Sequence, residues 1–223
     1  MKTIKGKRTD LEKQVASLIA EKLNALAKTK KEIIFGVVGG TSVPGIYKKL
    51  LDEKIPWKKV NVFLVDERIV PVASEDSNFK LAEDTFLNEL VEKGKLPQEN
   101  LHPFFEHRGT EIYNEEFKQY GKEFDLVLLS AGEDGHVGAL FPNYTIEEDG
   151  DYFIELDESP KPPKARITAS RKLLERSGTA ILLFFGDKKK KAYEAFSNPK
   201  TSVESCPAKL VEKVKDSYVF TEV

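Results

Sequence analysis

The 223-residue chain has a single cysteine, Cys206, which excludes an intrachain disulfide and a cysteine-rich metal site and favours a reducing compartment. No apolar run approaches the ~20 residues of a membrane-spanning helix. The opening stretch MKTIKGKRTDLEK lacks the apolar core of a secretory signal. The expectations are no membrane association and a cytoplasmic location. Neither sign of charge dominates, since 35 Lys and Arg against 37 Asp and Glu leave a net charge of -2. The one dense basic run, Lys188 to Lys191, is too short to argue for nucleic acid. The histidines, His102, His107 and His136, show no metal-ligand spacing such as HExxH, and Ser42 and Ser130 lie outside a GxSxG elbow. Walker and GxGxxG patterns are also missing, so a nucleotide is not indicated.

What is present describes an ordinary globular protein, with 40% hydrophobic and 32% charged residues. The most informative stretch is Phe124 to Pro142, FDLVLLSAGEDGHVGALFP. Leu126 to Leu129 are apolar without alternation, as in a strand buried on both faces of a parallel sheet. The strand stops at Gly132-Glu133-Asp134-Gly135-His136. In open α/β sheets ligands bind beyond the strand ends, so His136 stands where a catalytic group would be useful. The alternative for a lone histidine is a capping or solvated loop residue.

The same pattern recurs along the chain. Thr9-Asp10-Leu11-Glu12 has capping-box spacing ahead of an amphipathic stripe of Leu11, Val15, Leu18, Ile19 and Leu23. Ile33 to Val38 is a short strand ending at Gly39-Gly40-Thr41-Ser42, and Pro44 suits the first turn of the next helix. Val60 to Val65 is a third strand, closed by Asp66-Glu67-Arg68. Helices are expected over Asn78 to Val91 and Glu111 to Tyr120. Acidic Glu147 to Asp151 and the prolines of Ser159 to Pro163 read as an extended crossing segment. Regular structure resumes at Arg166-Ile167-Thr168. Ala180 to Phe185 is a strand, Lys188 to Phe196 a helix, and Tyr218 to Phe220 a last strand. His102 and His107 read as loop residues and Trp57 as packing. With no repeat and no linker, residues 1–223 read as one α/β domain built on a mainly parallel, doubly wound sheet flanked by helices.

Parallel topology would bring three polar loops to one sheet edge. Gly39 and Gly40 let backbone N–H groups approach an anion, and Thr41 and Ser42 add hydroxyl donors. Asp66 and Arg68 follow the next strand. Arg68 offers a planar fork suited to phosphate or carboxylate, unless it pairs with Asp66 or Glu67. Asp134 either orients His136 or simply forms the turn.

GGTSVPGIYKKL, WKKVNVFLVDERIVP with DSN at 76 to 78, FDLVLLSAGEDGHVGALFP and SPKPPKARIT resemble, in order and spacing, the motifs of 6-phosphogluconolactonases from about Ile33 onward. The resemblance implies a fold similar to glucosamine-6-phosphate deaminase. It also implies hydrolysis of the small phosphosugar 6-phosphoglucono-1,5-lactone to 6-phosphogluconate, a step of the oxidative pentose phosphate pathway, without metal or organic cofactor. Residue by residue, it implies phosphate binding by Thr41 and Ser42 of the Gly39–Gly40 loop and substrate-facing positions for Asp66, Arg68 and Arg166. His136 would be the catalytic base, with Asp134 beside it. Lys189 sits at the spacing of a family lysine, with Lys191 as its rival. Val43 stands where a proline is usual. A related deaminase would carry DEY and FNEP where this chain has DER and LFP, and the missing acid argues against it. A sugar-phosphate sensor would need a further domain for which the chain has little room. No oligomeric state is implied, and a monomer is compatible.

Overall fold

The computed structural model describes residues 1–144 and 150–223, so Glu147 to Asp149 of the acidic stretch lie outside the described residues. A first strand, β1 (Lys2–Lys5), leads into α1 (Arg8–Leu26), whose buried face of Leu11, Val15, Ala16, Ile19, Ala20 and Leu23 follows the helical period. The helix starts ahead of the expected capping box. Lys7 occupies the N-cap without a side-chain bond, and Glu12 accepts from Arg8 Nε at 2.6 Å. Thr9 therefore lies inside the first turn.

β2 (Ile33–Val37) is buried throughout, and α2 (Pro44–Leu50) starts on its proline. β3 (Val60–Leu64) is followed at once by β4 (Asp66–Arg68), α3 (Asn78–Ala82), a π-helical turn at Glu83–Leu87 and α4 (Asn88–Glu92). The chain continues through β5 (Leu101–His102), α5 (Gly109–Tyr120), β6 (Leu126–Ser130), β7 (Phe153–Leu156) and β8 (Arg166–Ala169). It closes with α6 (Arg171–Glu175), β9 (Thr179–Phe184), α7 (Lys190–Ser197) and β10 (Asp216–Thr221).

Seven strands form a parallel sheet in the order β1-β10-β9-β6-β2-β3-β5. From β2 the chain winds outward through β3 and β5, then returns to the other side through β6, β9 and β10. The order reverses between β2 and β6, the switch point where ligands enter doubly wound sheets. A separate antiparallel sheet, β4-β8-β7, lies beyond β3. It is stitched to the main sheet by Val65, whose N–H donates to Val37 O at 2.8 Å and whose carbonyl accepts from Ala169 N at 2.7 Å. Edge-to-face contacts of Phe153 with Phe117 of α5 and with Phe124, just ahead of β6, at centroid distances of 5.4 and 6.1 Å, pack β7 into the core.

Three further expectations need correction. Asp66-Glu67-Arg68 is a strand of the second sheet, not a loop. Phe153 to Leu156 is a strand within the stretch read as a crossing segment. His102 is not a loop residue: it is buried in β5, stacked on Phe63 and bonded to Glu116 Oε1 at 2.6 Å. Among the described residues no helix is long and apolar enough to cross a membrane.

At the centre of the sheet a Cβ on Gly36 would meet two ring carbons of Phe124 at 2.8 Å. Gly36→Ala should therefore lower the unfolding free energy by about 1–3 kcal/mol, the cost of overpacking, in urea denaturation. An unchanged midpoint would mean that Phe124 is not fixed across β2.

Candidate active site

The loops after β2 and β6, together with β4 and β8, enclose a cavity of about 270 Å³. Gly39, Gly40, Thr41, Ser42, Asp66, Arg68, His136, Arg166 and Lys189 all line it. Of the candidate site residues named from the sequence, Asp134 stands behind His136 instead of lining the cavity. Lys191 is exposed and lies outside the lining. Asn78, Glu133 and Lys161 also line the cavity. The sequence offered Asn78 and Lys161 inside the DSN and SPKPP motifs, but with no local pattern to give either a role.

After β2, Gly40 adopts φ +90°. Gly39 admits no side chain, because a Cβ there would fall 1.8 Å from Asn78 Oδ1. Ser42 is 1% exposed, and its Oγ has no hydrogen-bond partner among the described residues. A buried hydroxyl left in that condition forfeits about 1–3 kcal/mol, which a polar ligand in the cavity would restore.

Strand alternation decides what Asp66-Glu67-Arg68 can do. Asp66 and Arg68 share the cavity face, and Glu67 points the other way. Glu67 is buried and accepts from Ser77 Oγ at 2.9 Å, Asn78 N at 2.7 Å and Phe79 N at 2.8 Å. These bonds fasten the start of α3, and Asn78 Nδ2 in turn donates to Asp66 O at 2.8 Å. The guanidinium of Arg68 donates to Asp76 O at 2.5 Å, while its Nε has no partner among the described residues. Burial raises the Asp66 carboxyl above its ordinary range, and Arg68, Arg166 and His136 pull it back.

The glycine loop presents the histidine. Gly132 N donates to His136 O at 2.8 Å, and Gly135, at φ +90°, donates to Gly132 O at 3.1 Å. A Cβ on Gly132 would land 1.9 Å from His136 Nδ1. That nitrogen lies 2.5 Å from Asp134 Oδ1, and Asp134 Oδ2 lies 3.1 Å from Lys161 Nζ. An ionised Asp134 accepts from Nδ1–H and leaves Nε2 as the free acceptor. The Phe141 ring packs against the imidazole at a centroid distance of 4.8 Å and carries the Arg166 guanidinium 5.8 Å from its own centroid. The apolar part of the LFP motif thereby sets two polar groups.

Arg166 is 5% exposed. Its Nε donates to Ser159 Oγ at 3.1 Å and Pro163 O at 3.0 Å, and Asp66 Oδ2 lies 3.9 Å from its Nη1. The proline segment thus wraps the guanidinium and delivers Lys161 to the cavity rim. Burial lowers the ammonium pKa of Lys189, opposed by Glu133 and reinforced by Lys161. The cavity therefore gathers Arg68, Lys161, Arg166 and Lys189 around a small polar volume, together with a histidine that has one nitrogen committed and one available.

The family model described as glucosamine-6-phosphate isomerases/6-phosphogluconolactonase matches residues 6–220. A 6-phosphogluconolactonase of Borreliella burgdorferi is 34% identical over 196 residues, spanning 84% of this chain and 83% of that protein. The crystal structure of a 6-phosphogluconolactonase from Thermotoga maritima superposes with a TM-score of 0.80 at 27% identity, covering 98% of this chain and 96% of that one. A 6-phosphogluconolactonase from Trypanosoma cruzi shares the fold, with a TM-score of 0.82 at 20% identity and coverage of 99% and 94%.

Burial disfavours the charged form of Asp134, but hydrogen bonds from His136 and Lys161 outweigh it and hold the carboxyl below its ordinary value of 3.8. A depressed folded value stabilises the fold above the unfolded value, and the contribution disappears as pH falls through the folded one. Asp134→Asn should accordingly unfold more readily than the parent chain at about pH 5, with the gap closing toward about pH 2. A gap in urea midpoints that widened on acidification would contradict the pairing.

Proposed function

The chain belongs to the glucosamine-6-phosphate isomerase/6-phosphogluconolactonase family, and on that premise we propose that it hydrolyses 6-phosphoglucono-1,5-lactone to 6-phosphogluconate in the pentose phosphate pathway. The observation that carries the reading is convergence. One cavity of about 270 Å³ receives both an acid-supported imidazole and the side chains of Ser42, Arg68 and Lys189, a donor set suited to an anion. Its volume lies near the lower end of ligand-binding cavities, roughly 300–1,000 Å³, and suits one phosphorylated ring better than a nucleotide.

The chemistry follows from the proton inventory. With Nδ1–H held by Asp134, neutral His136 accepts a proton from water through Nε2 as the water oxygen bonds to the lactone carbonyl carbon. The carbonyl π electrons move onto oxygen, and the resulting charge is met by cavity donors, each well-placed one being worth about 3 kcal/mol. Collapse of the tetrahedral intermediate breaks the bond between the acyl carbon and the ring oxygen. The imidazolium returns its proton to that oxygen, leaving an open-chain acid. The phosphate, remote from the reacting bond, is held by Thr41, Ser42, Arg68 and Lys189, and its binding energy fixes the carbonyl against the base. Asp66 and Asn78 accept and donate to the ring hydroxyls, and Lys161 keeps Asp134 ionised.

The test is a coupled assay in which freshly made phosphogluconolactone is consumed with and without the chain. Loss of the lactone no faster than its spontaneous hydrolysis would overturn the reading. His136→Ala should lower kcat by about 10²–10⁴-fold with little change in KM, and near-normal turnover would remove the base. Ser42→Ala and Arg68→Ala should instead act mainly on KM, by about tenfold for the arginine. An unchanged KM in both would detach the cradle from the phosphate.

A further inference from the structure

Outside the cavity lining, Arg8 joins parts of the chain that are far apart in sequence. Its Nη2 donates to the carbonyls of Thr41 at 2.8 Å and Ser42 at 3.1 Å. Its Nε donates to Glu12 Oε1 at 2.6 Å, and its Nη1 lies 3.4 Å from Glu222 Oε2. The guanidinium carbon sits 4.6 Å from the centroid of Phe185. Glu222 Oε2 also accepts from Gly186 N at 2.7 Å, and Gly186 O accepts from Lys189 N at 2.9 Å. A continuous set of polar contacts therefore runs from the peptide carbonyls beside the Ser42 hydroxyl, through Arg8 and Glu222, to the turn that carries Lys189.

Peptide geometry gives that chain a consequence in the cavity. In a trans peptide unit the C=O and the N–H point to opposite sides. Drawing the Thr41 and Ser42 carbonyls toward Arg8 turns the N–H groups of Ser42 and Val43 away from it. The Ser42 N–H donates to no main-chain acceptor among the described residues. Thr41 and Ser42 line the cavity, whereas Arg8 does not. The arginine thus grips the loop from behind, and its fixed fork spans two carbonyls and two carboxylates at once, which a lysine ammonium would not reproduce.

We propose that Arg8, locked by Glu222, is a positioning residue for the anion-binding end of the cavity: it orients the 41–43 peptide units and holds them at a set spacing from Lys189. This rests on the lactonase reading for the identity of the anion, but not for the existence of the clamp. Arg8 touches no substrate, so its loss should be felt where the phosphate binds and not where the bond breaks.

The experiment compares phosphogluconolactone with unphosphorylated glucono-1,5-lactone in the full chain and in Arg8→Gln, Arg8→Lys and Glu222→Gln. For Arg8→Gln the KM for the phosphorylated lactone should rise about tenfold, as for a lost charge-assisted pair, with kcat held within about twofold. The kcat/KM for the unphosphorylated lactone should not move. Arg8→Lys should resemble Arg8→Gln, and the double variant with Glu222→Gln should be no worse than the single. An unchanged KM for the phosphorylated lactone, or an equal loss on both lactones, would overturn the proposal. If Arg8→Gln does not fold, Glu222→Gln alone must show the same selective rise. If the parent chain has no lactonase activity, the lactonase reading fails, yet calorimetric titration with inorganic phosphate still decides the clamp. Weaker phosphate binding in the Arg8 and Glu222 variants supports it, and equal binding refutes it.

Discussion

Because β6, β2 and β3 lie side by side and run in the same direction, the segments that leave them must emerge on one edge, and the candidate site depends on that constraint. Phe35 pairs with Leu126 and Gly36 with both Val127 and Phe63, so the Gly39–Ser42 loop and the Gly132–His136 loop issue from neighbouring strands at the switch point. No long-range steering is needed to bring the Gly39–Ser42 loop beside a histidine. Burial of unalternating apolar strands in the middle of the sheet is sufficient.

What the main sheet does not supply is the far wall, and the small antiparallel sheet provides it. Register pairs Arg68 with Arg166 across β4 and β8, so two guanidinium groups arrive on one strand pair beside Asp66. Like charges so close are costly to hold together, and the structure manages them with fixed acceptors. Carbonyls of the proline segment and Ser159 take the Arg166 donors, Asp76 takes one from Arg68, and Glu67 pins the helix start behind them. A cationic wall held by fixed acceptors is already oriented, which is the property electrostatic binding and catalysis require.

Much of this was legible in the sequence because the signals were physical extremes. Leu126 to Leu129, Ile33 to Val38 and Ala180 to Phe185 are apolar without alternation, and each is cut off near glycine, so strand type and loop position can both be read. Asp66-Glu67-Arg68 was not legible as a strand, since three consecutive charged residues look solvated until a partner is known. Its identity comes from pairing with Arg166–Thr168, about a hundred residues away. Phe153 to Leu156 was hidden for the same reason. His102 looks like a loop residue in sequence because its partners, Glu116 and Asn61, come from other elements. The Thr9 capping spacing failed because Glu12 bonds to Arg8, a partner that local pattern rules do not anticipate. Lys161 and Asn78 stood within recognisable motifs, yet only the folded-back proline segment and the Glu67 anchor bring them to the cavity.

The central claim is that a single cavity holds its ligand in one direction, phosphate toward Ser42, Arg68 and Lys189 and the acyl carbon toward His136. A crystal structure of the chain with 6-phosphogluconate tests this most directly. The account predicts the phosphate within hydrogen-bond distance of Ser42 Oγ and the product carboxylate facing His136 Nε2. A phosphate bound against His136, or a ligand lying outside this cavity, would contradict it.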